Sequence, residues 1–199
     1  MEATADAKVR AFIGVDLPEG LKRNIMPYAL KLQDCGFRLV SMDNMHITLF
    51  FLGDIDKRQQ ELVSAAMDRQ NCEPFRISVA GFGTFLTRHP NPIFAKIKLG
   101  RGELLDVHRS LSMELKDMGI KAEKRYYIPH ITVTRSRETH IMPDTSDFLT
   151  ANANIGFGEF VCDSIRLKQS VLTGDAPVYT DIHVKHLKLL RKPLGTSTQ

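Results

Sequence analysis

The chain has 199 residues, 43% hydrophobic and 25% charged, with a formal net charge of +4. That length can bury a core of its own, and no apolar run approaches the roughly 20 residues that a bilayer-crossing helix requires. The absence of any block of five or six like charges excludes a basic arm for gripping duplex nucleic acid, while the small positive excess is compatible with an anionic partner.

Residues 1–8 are small and polar, without the apolar stretch of a secretory signal, and read as a loose terminus, as do residues 192–199. Residues 10–17 (RAFIGVDL) are apolar and β-favourable, and Pro18-Glu19 opens a helix over 19–32 that Pro27 is expected to kink or divide. A short strand at 37–40 and a turn at 41–44 precede a strand at 45–52 (MHITLFFL), which Gly53-Asp54 should end. Residues 56–71 alternate a polar face with Leu62, Val63, Ala66 and Met67, the pattern of an amphipathic helix.

Residues 75–85 and 92–99 form a hairpin across a polar connection, and 102–118 a helix stopped by Gly119. Residues 128–135 (IPHITVTR) form a further strand, followed by a polar stretch with a short helix near 143–149. Two last strands, roughly 156–169 and 177–187, turn at Thr173-Gly174-Asp175. This order predicts an α+β fold.

The pentapeptides Met45-His46-Ile47-Thr48-Leu49 and Pro129-His130-Ile131-Thr132-Val133 nearly repeat one another. Side chains alternate along a strand, so His46 and Thr48 share one face and Ile47 and Leu49 the other, and likewise in the second copy. A single His-x-Thr strand ordinarily means a half-exposed strand. Two copies with the same apolar partners imply two lobes whose polar faces meet across a pseudo-twofold axis.

Two imidazoles facing one substrate suit acid and base catalysis, because histidine titrates near pH ~6.5 and can hold or lack a proton as needed. In-line displacement at phosphorus needs one group to activate the attacking oxygen and another, on the opposite side, to protonate the leaving oxygen. Hydroxyls of Thr48 and Thr132 can hold non-bridging phosphate oxygens. Arg135 lies on the opposite face of an unbroken strand from His130; a bend near Thr134 would turn its guanidinium into the cleft.

These features, together with RAFIGVDLP (10–18), DNMHITLFFLGDI (43–55), GFGTF (81–85), YIPHITVTRSR (127–137) and RLKQSVLTGDAPVY (166–179), closely resemble the two-histidine (2H) phosphoesterases. The resemblance is to their LigT-like branch, which includes RNA 2′,3′-cyclic phosphodiesterases, and it spans most of the chain. It implies a bilobal 2H phosphoesterase fold: two pseudo-twofold-related antiparallel sheets lining a central cleft, helices outside, in a single two-lobed domain over 1–199.

It also implies hydrolysis of RNA 2′,3′-cyclic phosphate termini to 2′-phosphates without metal or other cofactor. His46 would be the proton donor, His130 the proton acceptor, and Thr48, Thr132 and Arg135 the substrate-binding residues. The partners expected are RNA ends or short oligonucleotides bearing the cyclic phosphate, with no membrane, and the protein a monomer. The same acid and base pair can run 2′-5′ phosphodiester cleavage or ligation, and a non-catalytic nucleotide-binding module is the alternative of another class.

The resemblance departs at Ile93-Phe94-Ala95, where relatives often carry a tryptophan, so Phe12, Phe50 and Tyr127 are the candidate platforms for a terminal base. His183 and His186 would face opposite sides of a strand and so not share a metal, and His89, His108 and His140 read as solvent-facing. Lys96, Lys98, Arg125, Lys168 and Lys185 are candidates for a basic rim along RNA backbone. Cys35, Cys72 and Cys162, odd in number and far apart, fit neither a disulfide framework nor a zinc site and favour a reducing cytoplasm.

Overall fold

The structure, a computed structural model, describes residues 7–34, 37–85, 92–120, 126–135, 144–174 and 176–189. The expectations for Cys35, His89, Arg125, His140, the 86–91 connection and the extreme termini fall outside these residues. In chain order the elements are β1 (Val9–Asp16), α1 (Glu19–Asp34), β2 (Arg38–Leu39), a 3-10 turn (Met42–Asn44), β3 (His46–Ile55), α2 (Lys57–Asp68), β4 (Phe75–Thr84) and β5 (Ile93–Leu99). There follow α3 (Arg101–Asp117), β6 (His130–Thr132), β7 (Thr134–Arg135), α4 (Ser146–Ala151), β8 (Gly156–Cys162), β9 (Ser164–Thr173) and β10 (Ala176–His186).

Eight strands form one antiparallel ladder in the order β10-β9-β1-β3-β6-β5-β4-β8. Its centre is a narrow seam, the pairing of Ile47 on β3 with Ile131 on β6. On either side lie four strands, and in each half the innermost strand carries a His-x-Thr pair beside the strand that precedes it through a long helix: β1 then α1 for β3, β5 then α3 for β6. The two sheets that the family resemblance implies are thus the two halves of one ladder.

β8 and β9 are separated only by Asp163, yet they occupy the eighth and second places in the order. Strands about 4.8 Å apart in a flat sheet would hold them roughly 29 Å from each other, far beyond the ~7 Å that the two steps from Cys162 to Ser164 can span. The ladder must therefore curl until its ends approach. The strand expected over 156–169 is divided at Asp163 because its first part closes one half of the ladder and its second part the other.

Ile47, Leu49, Ile131 and Val133 are fully buried on the face away from the histidines. Against the ladder pack helices with apolar residues at helical spacing: Leu21, Ile25, Ala29 and Leu32 on α1, and Leu104, Val107, Leu111 and Leu115 on α3. α1 reaches β8 of the opposite half, and α3 reaches β3. α1 runs through Pro27 as one helix, since Ile25, Ala29 and Leu32 anchor the turns on both sides of it.

Asp56 caps α2 through a reciprocal pair with Gln59, which satisfies two end groups at once. β3 continues past Gly53 to Ile55, because Gly53 adopts φ +70° and lets the strand stay paired with β1 across an irregularity. Among the described residues no helix is long and apolar enough to cross a membrane.

Candidate active site

Antiparallel pairing of Ile47 with Ile131 puts His46 opposite Thr132 and Thr48 opposite His130, all four on the face away from the core. Directly opposed side chains start about 4.5–5.5 Å apart at Cβ, so one tetrahedral anion fits among them. A cavity of about 800 Å³ opens here, lined by His46, Thr48, Thr132 and Arg135 together with Arg10 and Tyr179. His130 is not part of that lining; its ring packs against Phe85 and Phe94, each 5.1 Å away between centroids.

Arg135 reaches the cavity because the strand breaks at Val133. The Val133 amide donates to Ile93 O, and the buried Thr134 hydroxyl accepts from the Ile93 amide at 2.9 Å, standing in for a ladder carbonyl. Thr134 thereby points inward and Arg135 toward the cleft, the bend expected near Thr134.

The two histidines are held alike. Nδ1–H of His46 donates to Asn44 O at 2.8 Å, and Nδ1–H of His130 to Ile128 O at 2.7 Å. A carbonyl only accepts, so Nδ1 carries the proton in both rings and Nε2 is the atom left to exchange one. In the neutral ring His46 Nε2 accepts from the Thr48 hydroxyl at 2.9 Å. Phe12 stacks on His46 at 4.6 Å, and Asn44 is tied to β10 by its side-chain donation to Pro177 O.

Burial pushes His46 from 6.5 down to about 4, opposed by its bond to Asn44 O and by Asp16 and reinforced by Lys168 and His130. Burial also lowers His130. The halves differ in charge where they match in shape: the residue paired with His46 on β1 is Asp16, whereas the one paired with His130 on β5 is Lys96.

Asp16 belongs to a four-charge cluster. Lys168 lies 3.0 Å from Asp16 and 2.7 Å from Asp181, and Arg166 bridges the same two carboxylates. Lys168 is therefore committed to ion pairs and does not serve the basic rim expected from sequence, while Lys185 donates to Asp68 O. Only contacts made by the folded chain reveal this.

The candidate aromatic platforms are likewise redistributed. Phe12 is buried behind His46, Phe50 is in the core, and the Tyr127 hydroxyl donates to Thr48 O. The aromatics that line the cavity with an open face are Phe51, 55% exposed, and Tyr179. His108, expected at the surface, is half-buried and bonds Leu49 O. His183 pairs with Asp68, and among the described residues no group of three or more histidines, cysteines and carboxylates could hold a metal.

Arg10, Asn44, Phe51 and Tyr179 are site residues that sequence reasoning did not select. Arg10 opens the first quoted motif, but nothing marks it until β1 is known to lie beside β3.

The family described as LigT like Phosphoesterase matches residues 15–94 and 98–179, each segment holding one His-x-Thr strand. The chain is 35% identical to an RNA 2′,3′-cyclic phosphodiesterase of Methanothermobacter thermautotrophicus, over 90% of this chain and all of that one. It is 30% identical to one of Archaeoglobus fulgidus, over 88% and 99%. The crystal structure of E. coli LigT in apo form superposes with a TM-score of 0.75 at 22% identity, covering 92% of this chain and 99% of that one. The chain belongs to the LigT-like phosphoesterase family.

Proposed function

We propose that the protein hydrolyses RNA 2′,3′-cyclic phosphate termini to 2′-phosphates, with His46 as proton donor and His130 as proton acceptor. The observation that carries this reading is the Ile47–Ile131 pairing, which sets two imidazoles with fixed Nδ1 protons diagonally across one phosphate-sized site. Relatives at 30% identity or more that bear the name RNA 2′,3′-cyclic phosphodiesterase support the substrate class.

Water attacks phosphorus as His130 Nε2 takes its proton; the bond from phosphorus to the 3′ oxygen breaks, and His46 Nε2–H protonates that oxygen. Thr48 and Thr132 hydroxyls and the Arg135 guanidinium hold the non-bridging oxygens, whose charge persists throughout. Burial lowers both rings, and Asp16 beside His46 works against that lowering, towards the imidazolium that an acid needs. The scheme uses no cofactor or metal.

Purified protein in excess EDTA should convert a short RNA ending in a 2′,3′-cyclic phosphate into one ending in a 2′-phosphate. A 3′-phosphate product would reverse the assignment of the leaving oxygen. A bound but unaltered RNA would favour a nucleotide-binding module instead.

The pH dependence has a definite sign. The reaction needs one proton shared by the histidine pair. Both rings are depressed in the free protein, so that proton is lost below the ordinary histidine pKa, whereas the anionic phosphodiester raises both rings on binding. The alkaline limb of kcat/KM, which reports the free protein, should lie below pH 6.5 and below that of kcat. Coincident limbs would contradict this account.

A further inference from the structure

Beside the site, β3 carries a bulge. Gly14 of β1 pairs with Thr48 and Ile13 with Phe50, which leaves Leu49 without a partner on β1. On the other side β6 pairs with β3 only at Ile47. Leu49 is 1% exposed, so its carbonyl needs an internal partner. That partner comes from a helix: His108 Nδ1–H on α3 donates to Leu49 O at 2.8 Å. The Tyr127 hydroxyl, just before β6, donates to the neighbouring Thr48 O at 3.0 Å. The two donor rings stack on each other, 4.1 Å between centroids and 20° from parallel.

We propose that His108 and Tyr127 are positioning residues that clamp the Leu49 bulge and thereby aim Thr48 and His46 at the phosphate. A bulge redirects the side chains next to it. Thr48 immediately precedes this one, and its hydroxyl is bonded to His46 Nε2, so a change in the direction of one is felt by the other. The clamp also reaches across the seam, since Tyr127 leads into the strand that carries His130. Neither residue touches the substrate site; both act through the backbone of β3. The Ser112 hydroxyl donates to His108 O at 2.7 Å and also lies 3.5 Å from Nε2, the ring nitrogen that Leu49 does not engage.

The inference rests on the proposed hydrolysis for its kinetic readout, and a spectroscopic one separates the two. His108→Leu removes the donor, His108→Asn keeps an N–H near the Nδ1 position, and Tyr127→Phe keeps the stacked ring while deleting the hydroxyl. A displacement near 1 Å in a catalytic geometry costs about 10²-fold. His108→Leu should therefore lower kcat about 30- to 100-fold with KM changed less than about threefold, His108→Asn should restore most of kcat, and Tyr127→Phe should lower it about five- to tenfold.

In parallel, the ring ¹⁵N resonances of His46 should move in His108→Leu and Tyr127→Phe and return towards wild type in His108→Asn. If wild type does not hydrolyse the RNA, the proposed function fails and the His46 spectrum alone decides the clamp. If His108→Leu does not fold, Tyr127→Phe carries the test. Wild-type kcat and unmoved His46 resonances in Tyr127→Phe, or identical losses in His108→Leu and His108→Asn, would overturn the inference.

Discussion

His46→Ala and His130→Ala should each lower kcat on a cyclic-phosphate-terminated RNA by about 10²–10⁴-fold, and the double variant should be hardly slower than the worse single one. In the proposed mechanism the two rings act on one displacement, so removing either leaves the other nothing to complete, and losses in such a unit do not multiply. The pH profiles separate the roles: without His130 the acid limb disappears, and without His46 the alkaline limb does. Full turnover by either variant, or losses that multiply, would end the two-histidine reading.

The His46 variant carries a second, independent signature. Its folded pKa, about 4, lies below the ordinary 6.5, so the native state resists protonation that the unfolded chain accepts. Stability is therefore intact above pH 6.5 and lost as pH falls from there through about 4, by about 3 kcal/mol for this group. His46→Ala should unfold less readily than wild type on acidification by about that margin, which urea titrations at pH 7 and pH 4 would measure.

The site was legible in sequence as far as strand alternation reaches. His46 and Thr48 had to share a face because Ile47 and Leu49 needed the core, and the near-repeat at His130 made two such faces meet. Alternation cannot show where a strand stops. The break at Val133 depends on the Thr134 hydroxyl finding the Ile93 amide, which lies far away in sequence, and only that break sends Arg135 into the cleft. Nor can it show who a side chain meets: Lys168 was free to be a rim residue until β10 brought Asp181 beside it, and His108 looked solvent-facing because its acceptor belongs to a bulge in another element. The division at Asp163 is invisible for a related reason, since a run of interspersed apolar and polar residues that reads as one long strand says nothing about a change of neighbours.

Gly14→Ala should lower kcat about 10²-fold and also destabilise the protein. Gly14 lies on the cleft face of β1, between Phe12 and Asp16, opposite Thr48. Its backbone is not left-handed, so alanine meets no torsional strain there. The obstacle is space: an added Cβ would lie 2.9 Å from Ile47 O, 3.2 Å from the Phe12 ring and 3.5 Å from Cδ2 of His46. The Phe12 ring is confined by its stacking on His46, and Ile47 O is backbone at the seam, so relief must come from moving β3 or from tilting the two rings. Either displaces Nε2 of His46. Overpacking of this kind costs about 1–3 kcal/mol, which for a domain of this size lowers Tm by roughly 2–12 °C. Gly20→Ala on α1 is the control, since nothing lies within 4 Å of the new methyl group; it should keep wild-type kcat and Tm or gain slightly in Tm. If Gly14→Ala instead loses stability while kcat stays at the wild-type value, the stacked Phe12–His46 pair has absorbed the methyl group without moving Nε2, and the His46 ring does not need the open space above Gly14.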